Sequence, residues 1–307
     1  MKLSLVVPCY NEQDNVRPFY EACAAAFRGK IDSYEIIFIN DGSKDETWRA
    51  LKEIHAGTQH IKLINFSRNF GKESAMYAGL QKAEGEYISI IDADLQQRPE
   101  IVAEMVDFLE QNMDYDSVAA YQVNRQEGKV LSFCKRSFYA LINRMCEIDF
   151  KSNASDFRTF RRGVAEAILE MKEYFRFSKG IFSWVGYNTH YIPYEAAQRN
   201  AGETSWSFRK LFKYALEGIV AFSTFPLKLA TYCGLIFSLL SLTYMVVVIV
   251  QKLFWGIDVP GYPTLIVVIL LVGGIQMLML GIIGQYISKI YIEGKRRPIY
   301  LVKEYLE

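Results

Sequence analysis

"YISIIDADLQQRPE", residues 87–100, begins as an apolar strand and ends on two aspartates one residue apart, Asp92 and Asp94. Like charges at the end of a buried strand raise each other's cost of ionisation, so the pair calls for a positive partner. Three other apolar runs finish in the same manner. "LSLVVP" (3–8) leads into Cys9-Tyr10-Asn11-Glu12, "YEIIFIND" (34–41) into Gly42-Ser43, and "IKLINF" (61–66) into Ser67-Arg68-Asn69-Phe70-Gly71-Lys72. Helical patterns fill the intervals near 12–28, 45–56, 72–83 and 99–111, with Asp45 and Pro99 as starts. Strands alternating with helices predict an α/β domain built on a mainly parallel sheet, covered on both faces. Ligands of such sheets lie beyond the carboxyl ends of the strands. Here four strands deliver polar, turn-forming residues to that one edge.

Two carboxylates at i and i+2, where a strand breaks into a loop, can turn toward one point. Hard oxygen donors of this kind select Mg²⁺ or Mn²⁺, and such an ion commonly completes its shell with substrate phosphates. A DxD by itself is usually a solvated acidic turn. Its place at a strand end, beside three other polar strand ends, makes this one a candidate site.

The 307 residues carry 35 Lys+Arg against 34 Asp+Glu, so no global field points to nucleic acid. Five cysteines without CxxC spacing suggest reduced thiols, and neither zinc nor a disulfide framework. The opening "MKLSLVVPCYNE" is too short an apolar run for a signal peptide, so the first domain is expected in the cytosol. Two segments then change character: 230–252 holds no charge before its final lysine, and 263–288 holds none. Each meets the ~20 residues needed to span a bilayer. Arg209, Lys210, Lys213 and Lys228 precede the first, Lys289, Lys295, Arg296 and Arg297 follow the second, and "LFWGIDVPGY" between them has no lysine or arginine. That asymmetry predicts a membrane hairpin with the first domain and both termini cytosolic. The expected division is a cytosolic α/β domain at 1–205, an interfacial helix and linker at 206–228, the hairpin at 229–288 and a cytosolic tail at 289–307. Phe208, Leu211, Phe212, Ala215, Ile219 and Phe222 recur at helical spacing. Periodicity alone would equally fit a helix packed on the domain; its place before a span favours the membrane interface.

With "VVPCYNE", "NDGSKDET", "SRNFGKESAMYAGL", "NASDFRTFRR", "FSWVGY" and "RNAGETSW", the stretch "DADLQQRPE" resembles the successive motifs of family 2 glycosyltransferases. The subgroup it resembles is that of the polyprenyl-phosphate glycosyltransferases, related to dolichyl-phosphate mannose synthase. The likeness covers nearly all of the chain, including the hairpin and "RRPIYLV". It implies a GT-A type, Rossmann-like nucleotide-diphosphosugar transferase domain, with the donor in the strand-end cleft and inverting transfer to a lipid phosphate.

Carried over motif by motif, the resemblance implies that Pro8, Tyr10 and Glu12 line the nucleoside pocket and that Asp41 bonds the base. A helix cap at Ser43 or Asp45 would leave Asp41 free for that. Lys72, just after Gly71, would meet phosphate charge. Asp92 and Asp94 would contact the ribose–diphosphate and the metal, with Asp94 the leading ligand, and Gln96 would touch sugar or acceptor. Asp156 matches the family's catalytic base. A phosphomonoester has a second pKa of ~6 and is largely ionised already, so Asp156 positioning the acceptor or holding Arg158 stays open as an alternative. Arg125, Lys135, Arg136 and Arg158 are candidates for acceptor phosphate or diphosphate. The chain departs from the family at Asn40, Gln97-Arg98, Ser155 and Ser205; the last stands where a basic residue is usual, a contact Arg199 would supply instead.

The expectation is a plasma-membrane enzyme, with residues 1–205 as its catalytic domain, moving a hexose (glucose or N-acetylglucosamine type) from a UDP-linked donor to undecaprenyl phosphate, as a homo-oligomer, with a divalent metal and no nucleic acid. Two alternatives stand beside it: a membrane glycosyltransferase acting on a glycan or lipid hydroxyl, and a non-catalytic nucleotide-sugar sensor.

Overall fold

The computed structural model describes residues 2–58, 60–123, 154–195, 197, 223–255 and 261–307. Strands β1 (Leu3–Cys9), β2 (Tyr34–Asn40), β3 (Ile61–Phe66) and β4 (Tyr87–Ile90) alternate with α1 (Val16–Phe27), α2 (Thr47–His55), α3 (Lys72–Lys82) and α4 (Pro99–Gln111). All eight lie where the hydrophobic pattern places them. Pro99 stands in the first turn of α4, where its missing N–H costs nothing. Asp45 accepts the Thr47 N–H at 3.1 Å at the start of α2. Then follow β5 (Ser117–Gln122), β6 (Ala154–Arg161), α5 (Arg162–Glu170), α6 (Ser178–Trp184) and β7 (Thr189–Tyr194). Two long helices, α7 (Phe225–Trp255) and α8 (Tyr262–Gly294), precede a last strand, β8 (Val302–Leu306).

The eight strands form one sheet in the order β7-β5-β6-β4-β1-β2-β3-β8. Its centre, β4-β1-β2-β3, is parallel, which puts the carboxyl ends of all four strands at one edge. Strand alternation sorts the side chains onto two faces. Leu5, Val7, Ile36, Phe38 and Leu63 pack with α1, α2 and α4, whereas Val6, Ile37, Ile39 and Ile64 pack with α3, α5 and α6. The result is an α/β sandwich of three layers.

Gly42 is required by its surroundings. It takes φ +63°, and a Cβ there would stand 2.4 Å from the Arg68 carbonyl carbon and 2.5 Å from the Asn69 nitrogen. The turn after β2 can thus lie directly against the loop after β3.

The expected division of the chain needs correction at its end. Residues 289–307 are not a separate tail: α8 continues to Gly294, and Val302–Leu306 pairs antiparallel with β3. Tyr300 stacks on Phe66 with ring centroids 4.9 Å apart, and Lys62 pairs with Glu307 at 3.4 Å. The tail therefore belongs to the catalytic sheet. Helices α7 and α8 expose their apolar surfaces throughout, over windows at Phe225–Gln251 and Thr264–Gly294 long and apolar enough to cross a membrane. Helix α7 begins inside the expected linker, and the amphipathic segment at 206–222 lies outside the described residues.

Candidate active site

At the strand-end edge two carboxylates gather around Lys72. Lys72, first residue of α3, puts its Nζ 2.6 Å from Asp92 Oδ1 and 3.3 Å from Asp156 Oδ2. Strand β6 runs antiparallel to β4 with Ile90 opposite Arg158, and this register carries Asp156 to the turn holding Asp92. Burial works to lower the Lys72 ammonium, but the charges of Asp92 and Asp156 outweigh it and hold it above the ordinary lysine range. Burial likewise works to raise the Asp156 carboxyl. The neighbouring Lys72, Lys179 and Arg158 overcome that and hold it below the usual carboxylate range.

Arg158 projects from the same face of β6 as Asp156, two residues on. It is 6% exposed, and its guanidinium carbon lies 3.6 Å from the Phe182 ring centroid. One nitrogen donates to Ser155 O at 3.1 Å; the buried Nε has no hydrogen-bond partner among the described residues. Burial pulls the group down to about 10, so the guanidinium still carries its charge at neutral pH.

The aspartate loop is shaped by its own backbone. Asp94 is buried, and its Oδ1 accepts the Gln96 N–H at 3.2 Å across Leu95, which sits at φ +60°. A non-glycine residue in that region is uncommon and marks a loop held against its preference. Gln97 secures the first aspartate: its Oε1 accepts the Asp92 N–H at 3.0 Å, and its Nε2 donates to Asp92 Oδ2 at 3.2 Å and to Ser155 Oγ at 3.5 Å. Two departures from the family pattern, Gln97 and Ser155, thus meet each other beside Asp92. Gln96 O accepts the N–H of Ala197 at 3.1 Å, tying the loop to the chain after β7.

The two oxygens of Asp41 accept the Phe70 N–H at 2.6 Å and the Gly71 N–H at 2.9 Å. Burial raises its carboxyl, against those two bonds and Arg68. Asp41 therefore fastens the end of β2 to the entry of α3. Ser43 accepts the Asn11 N–H at 3.0 Å, and Thr47 Oγ1 accepts that of Glu12 at 2.8 Å. These bonds join the loops after β1 and β2 into one wall that carries half-buried Pro8 and Glu12 and exposed Tyr10. Arg125, Lys135, Arg136 and Arg199 lie outside the described residues.

Sequence reading passed over Gln97 and Ser155 as site residues, and Glu73 altogether. The departures themselves were the available signal for the first two. For Glu73 the signal was its place beside Lys72 at the start of a helix.

Residues 4–169 match the family model for glycosyl transferase family 2. The chain is a family 2 glycosyltransferase. Residues 225–290 of the enzyme match a second model, the GtrB C-terminal hairpin. The glycosyltransferase is 44% identical to an uncharacterized glycosyltransferase of Synechocystis sp., over 99% of this chain and 95% of that one. It is 40% identical to a prophage bactoprenol glucosyl transferase homolog of Escherichia coli, over 99% of each chain. Identity to the bactoprenol glucosyl transferase of Shigella phage SfV is also 40%, over 99% of this chain and 98% of the relative. Among solved structures, the glucosyl-3-phosphoglycerate synthase of Mycobacterium tuberculosis aligns over 71% of this chain and 76% of its own, at 16% identity and TM-score 0.48.

Proposed function

We propose that the enzyme transfers glucose from a UDP-linked donor to the phosphate of undecaprenyl phosphate at the cytosolic face of a membrane. The observation that carries this reading is Lys72 paired with Asp156 at the strand edge, with the incompletely bonded Arg158 two residues further along β6. Such a cluster suits an anionic acceptor meeting an anionic leaving group. Full-length likeness to bactoprenol glucosyl transferases supports the sugar and the lipid.

Orientation is supported by β8. Two crossings return the chain to the side it left, and Val302–Leu306 then completes the catalytic sheet. Lys289, Lys295, Arg296 and Arg297 flank that return, while 253–262 carries no lysine or arginine, as a cytosolic catalytic domain requires.

Asp92 and Asp94 are hard oxygen donors, and among the described residues no further carboxylate, histidine or cysteine joins them into a larger ligand group. That set fits Mg²⁺ or Mn²⁺ held by one or two carboxylates with substrate phosphate completing the shell. Such an ion would neutralise charge gathering on the departing UDP. The chain's own groups account for the remainder. The acceptor phosphate, with a second pKa of ~6, is largely dianionic at neutral pH and attacks the anomeric carbon as the bond to UDP breaks. No proton has to leave it. Asp156, held below the usual range, is a weak base, and we assign it the task of fixing Lys72 and Arg158. In this reading we assign Lys72 to the donor diphosphate, Arg158 to the acceptor phosphate, Gln96 to the sugar or acceptor, and the loops bearing Pro8, Tyr10 and Glu12 to the nucleoside.

The test is a donor panel. Full-length protein in vesicles containing undecaprenyl phosphate, given UDP-glucose, UDP-N-acetylglucosamine or GDP-mannose, should form glucosylated lipid fastest. A faster reaction with another sugar would overturn the glucose assignment, and no product from any donor would overturn the function.

A further inference from the structure

Helix α3 opens with two charged residues that reach different partners. Lys72 meets Asp92 and Asp156. Its neighbour Glu73 accepts the backbone N–H of Ser178 at 3.0 Å and also the hydroxyl of that residue. Ser178 is the first residue of α6, so Glu73 holds that helix by its leading turn. Helix α6 carries Phe182, against which the Arg158 guanidinium lies, and Lys179, whose charge acts on Asp156.

The loop before α6, residues 171–177, is gripped from its other side by the membrane hairpin. Glu293, in the last turn of α8, accepts the Tyr174 N–H with both oxygens, at 3.1 and 3.3 Å. Lys289, one turn earlier, has its ammonium 5.4 Å from the Phe175 ring centroid. Arg176 closes the clasp against α3, with its guanidinium 4.3 Å from the Tyr77 ring. A continuous set of bonded groups thus runs from the end of α8 to the helix turn that bears Lys72.

We propose that Glu73 is a positioning residue that joins the hairpin-gripping loop to the first turn of α3, so that docking of α8 fixes the spacing of Lys72, Asp156 and Arg158. The inference rests on the glycosyl transfer proposed above. Burial and then the charge of Asp156 push the Glu73 carboxyl up to about 7, against the two Ser178 bonds and Lys72, so those two bonds hold Glu73 in an otherwise unfavourable place. Shortening Glu73 releases α6 and with it both the Phe182 platform and Lys179. Shortening Glu293 releases the same loop from its far end. Two residues acting through one loop must show non-additive effects, which distinguishes a link from two separate structural losses.

The test is a double-mutant cycle in full-length protein reconstituted with undecaprenyl phosphate and given UDP-glucose. Glu73→Ala should lower kcat by about tenfold or more and Glu293→Ala by about threefold, with KM for UDP-glucose and UDP affinity within about twofold of the parent. Glu73→Gln and Glu293→Gln keep an acceptor oxygen in place and should restore most of each loss. The double alanine variant should be no slower than Glu73→Ala alone. Losses that multiply, or Glu293→Ala with unchanged kcat, would overturn the link. If Glu73→Ala does not bind UDP, Ser178→Ala takes its place in the cycle with the same expectation and the same refutation. A parent enzyme that makes no glucosylated lipid would refute the proposed function, whereas an active parent with a multiplicative cycle would refute only the role of Glu73.

Discussion

Lys72 lies between two carboxylates, and its removal should be felt first by Asp156. Asp156 is held below its unfolded-state value, so its contribution to stability is present above the ordinary carboxylate pKa and is lost as pH falls through the depressed one. Lys72 is raised, so its contribution is present below the ordinary lysine pKa and is lost only as pH rises through the elevated one. Between those ranges both are intact. In Lys72→Met the main charge opposing burial of Asp156 disappears, and acid unfolding followed by circular dichroism should begin at higher pH; an unmoved acid midpoint would contradict the pairing. Asp156→Asn separates positioning from base catalysis. With charge removed and shape kept, kcat should fall by about 10²-fold while the pH profile from about 6 to 8 keeps its form, since that limb belongs to the acceptor phosphate. Loss of a limb in the variant would restore the base. The carboxylates Asp92, Asp94 and Asp156 were legible because strand ends and motif order mark them. The salt bridge was not, because it needs the register of β4 against β6, which no local pattern states. The bonds of Asp41 were hidden for a related reason: the sequence of a turn does not show that the neighbouring loop brings two backbone N–H groups to it.

Strands β1 to β4 announced themselves as apolar runs because both faces of the central sheet are covered. Strand β6 did not. Its sequence, ASDFRTFR, mixes charge with aromatics, since Asp156 and Arg158 stand at the candidate site while Phe157 and Phe160 fill the core on opposite faces. Strand β8 was hidden by polar composition and by its position after a membrane hairpin. It shields β3, whose Lys62 is bonded to buried Glu35 at 3.0 Å and to Glu84 at 2.8 Å as well as to Glu307. Removing residues 299–307 would leave β3 as an unpaired apolar edge, the arrangement most prone to aggregation. That truncation should lower the thermal unfolding midpoint by about 5 °C or more. An unchanged midpoint would mean β8 is only laid on the sheet.

At the scale of the whole molecule, the hairpin is enclosed between two parts of one domain. The chain leaves the catalytic fold before α7, returns as β8, and is clasped again where Glu293 meets Tyr174. Cutting the chain near Ser205 would therefore remove a strand of the sheet together with the anchor. A version in which a flexible linker replaces α7 and α8 while β8 is retained should stay folded and bind UDP. It should transfer poorly to long-chain polyprenyl phosphate and partly recover with a short, soluble acceptor phosphate, because the membrane surface no longer presents the lipid to the cleft. Equal long-chain rates with and without the helices would reduce the hairpin to a tether. The central claim, that the acceptor is the phosphate of a membrane lipid, is tested most directly by initial transfer rates from UDP-glucose in vesicles carrying either undecaprenyl phosphate or undecaprenol. The expected result is glucosylated lipid from the phosphate and background from the alcohol; comparable rates with both would contradict the account and point to a hydroxyl acceptor.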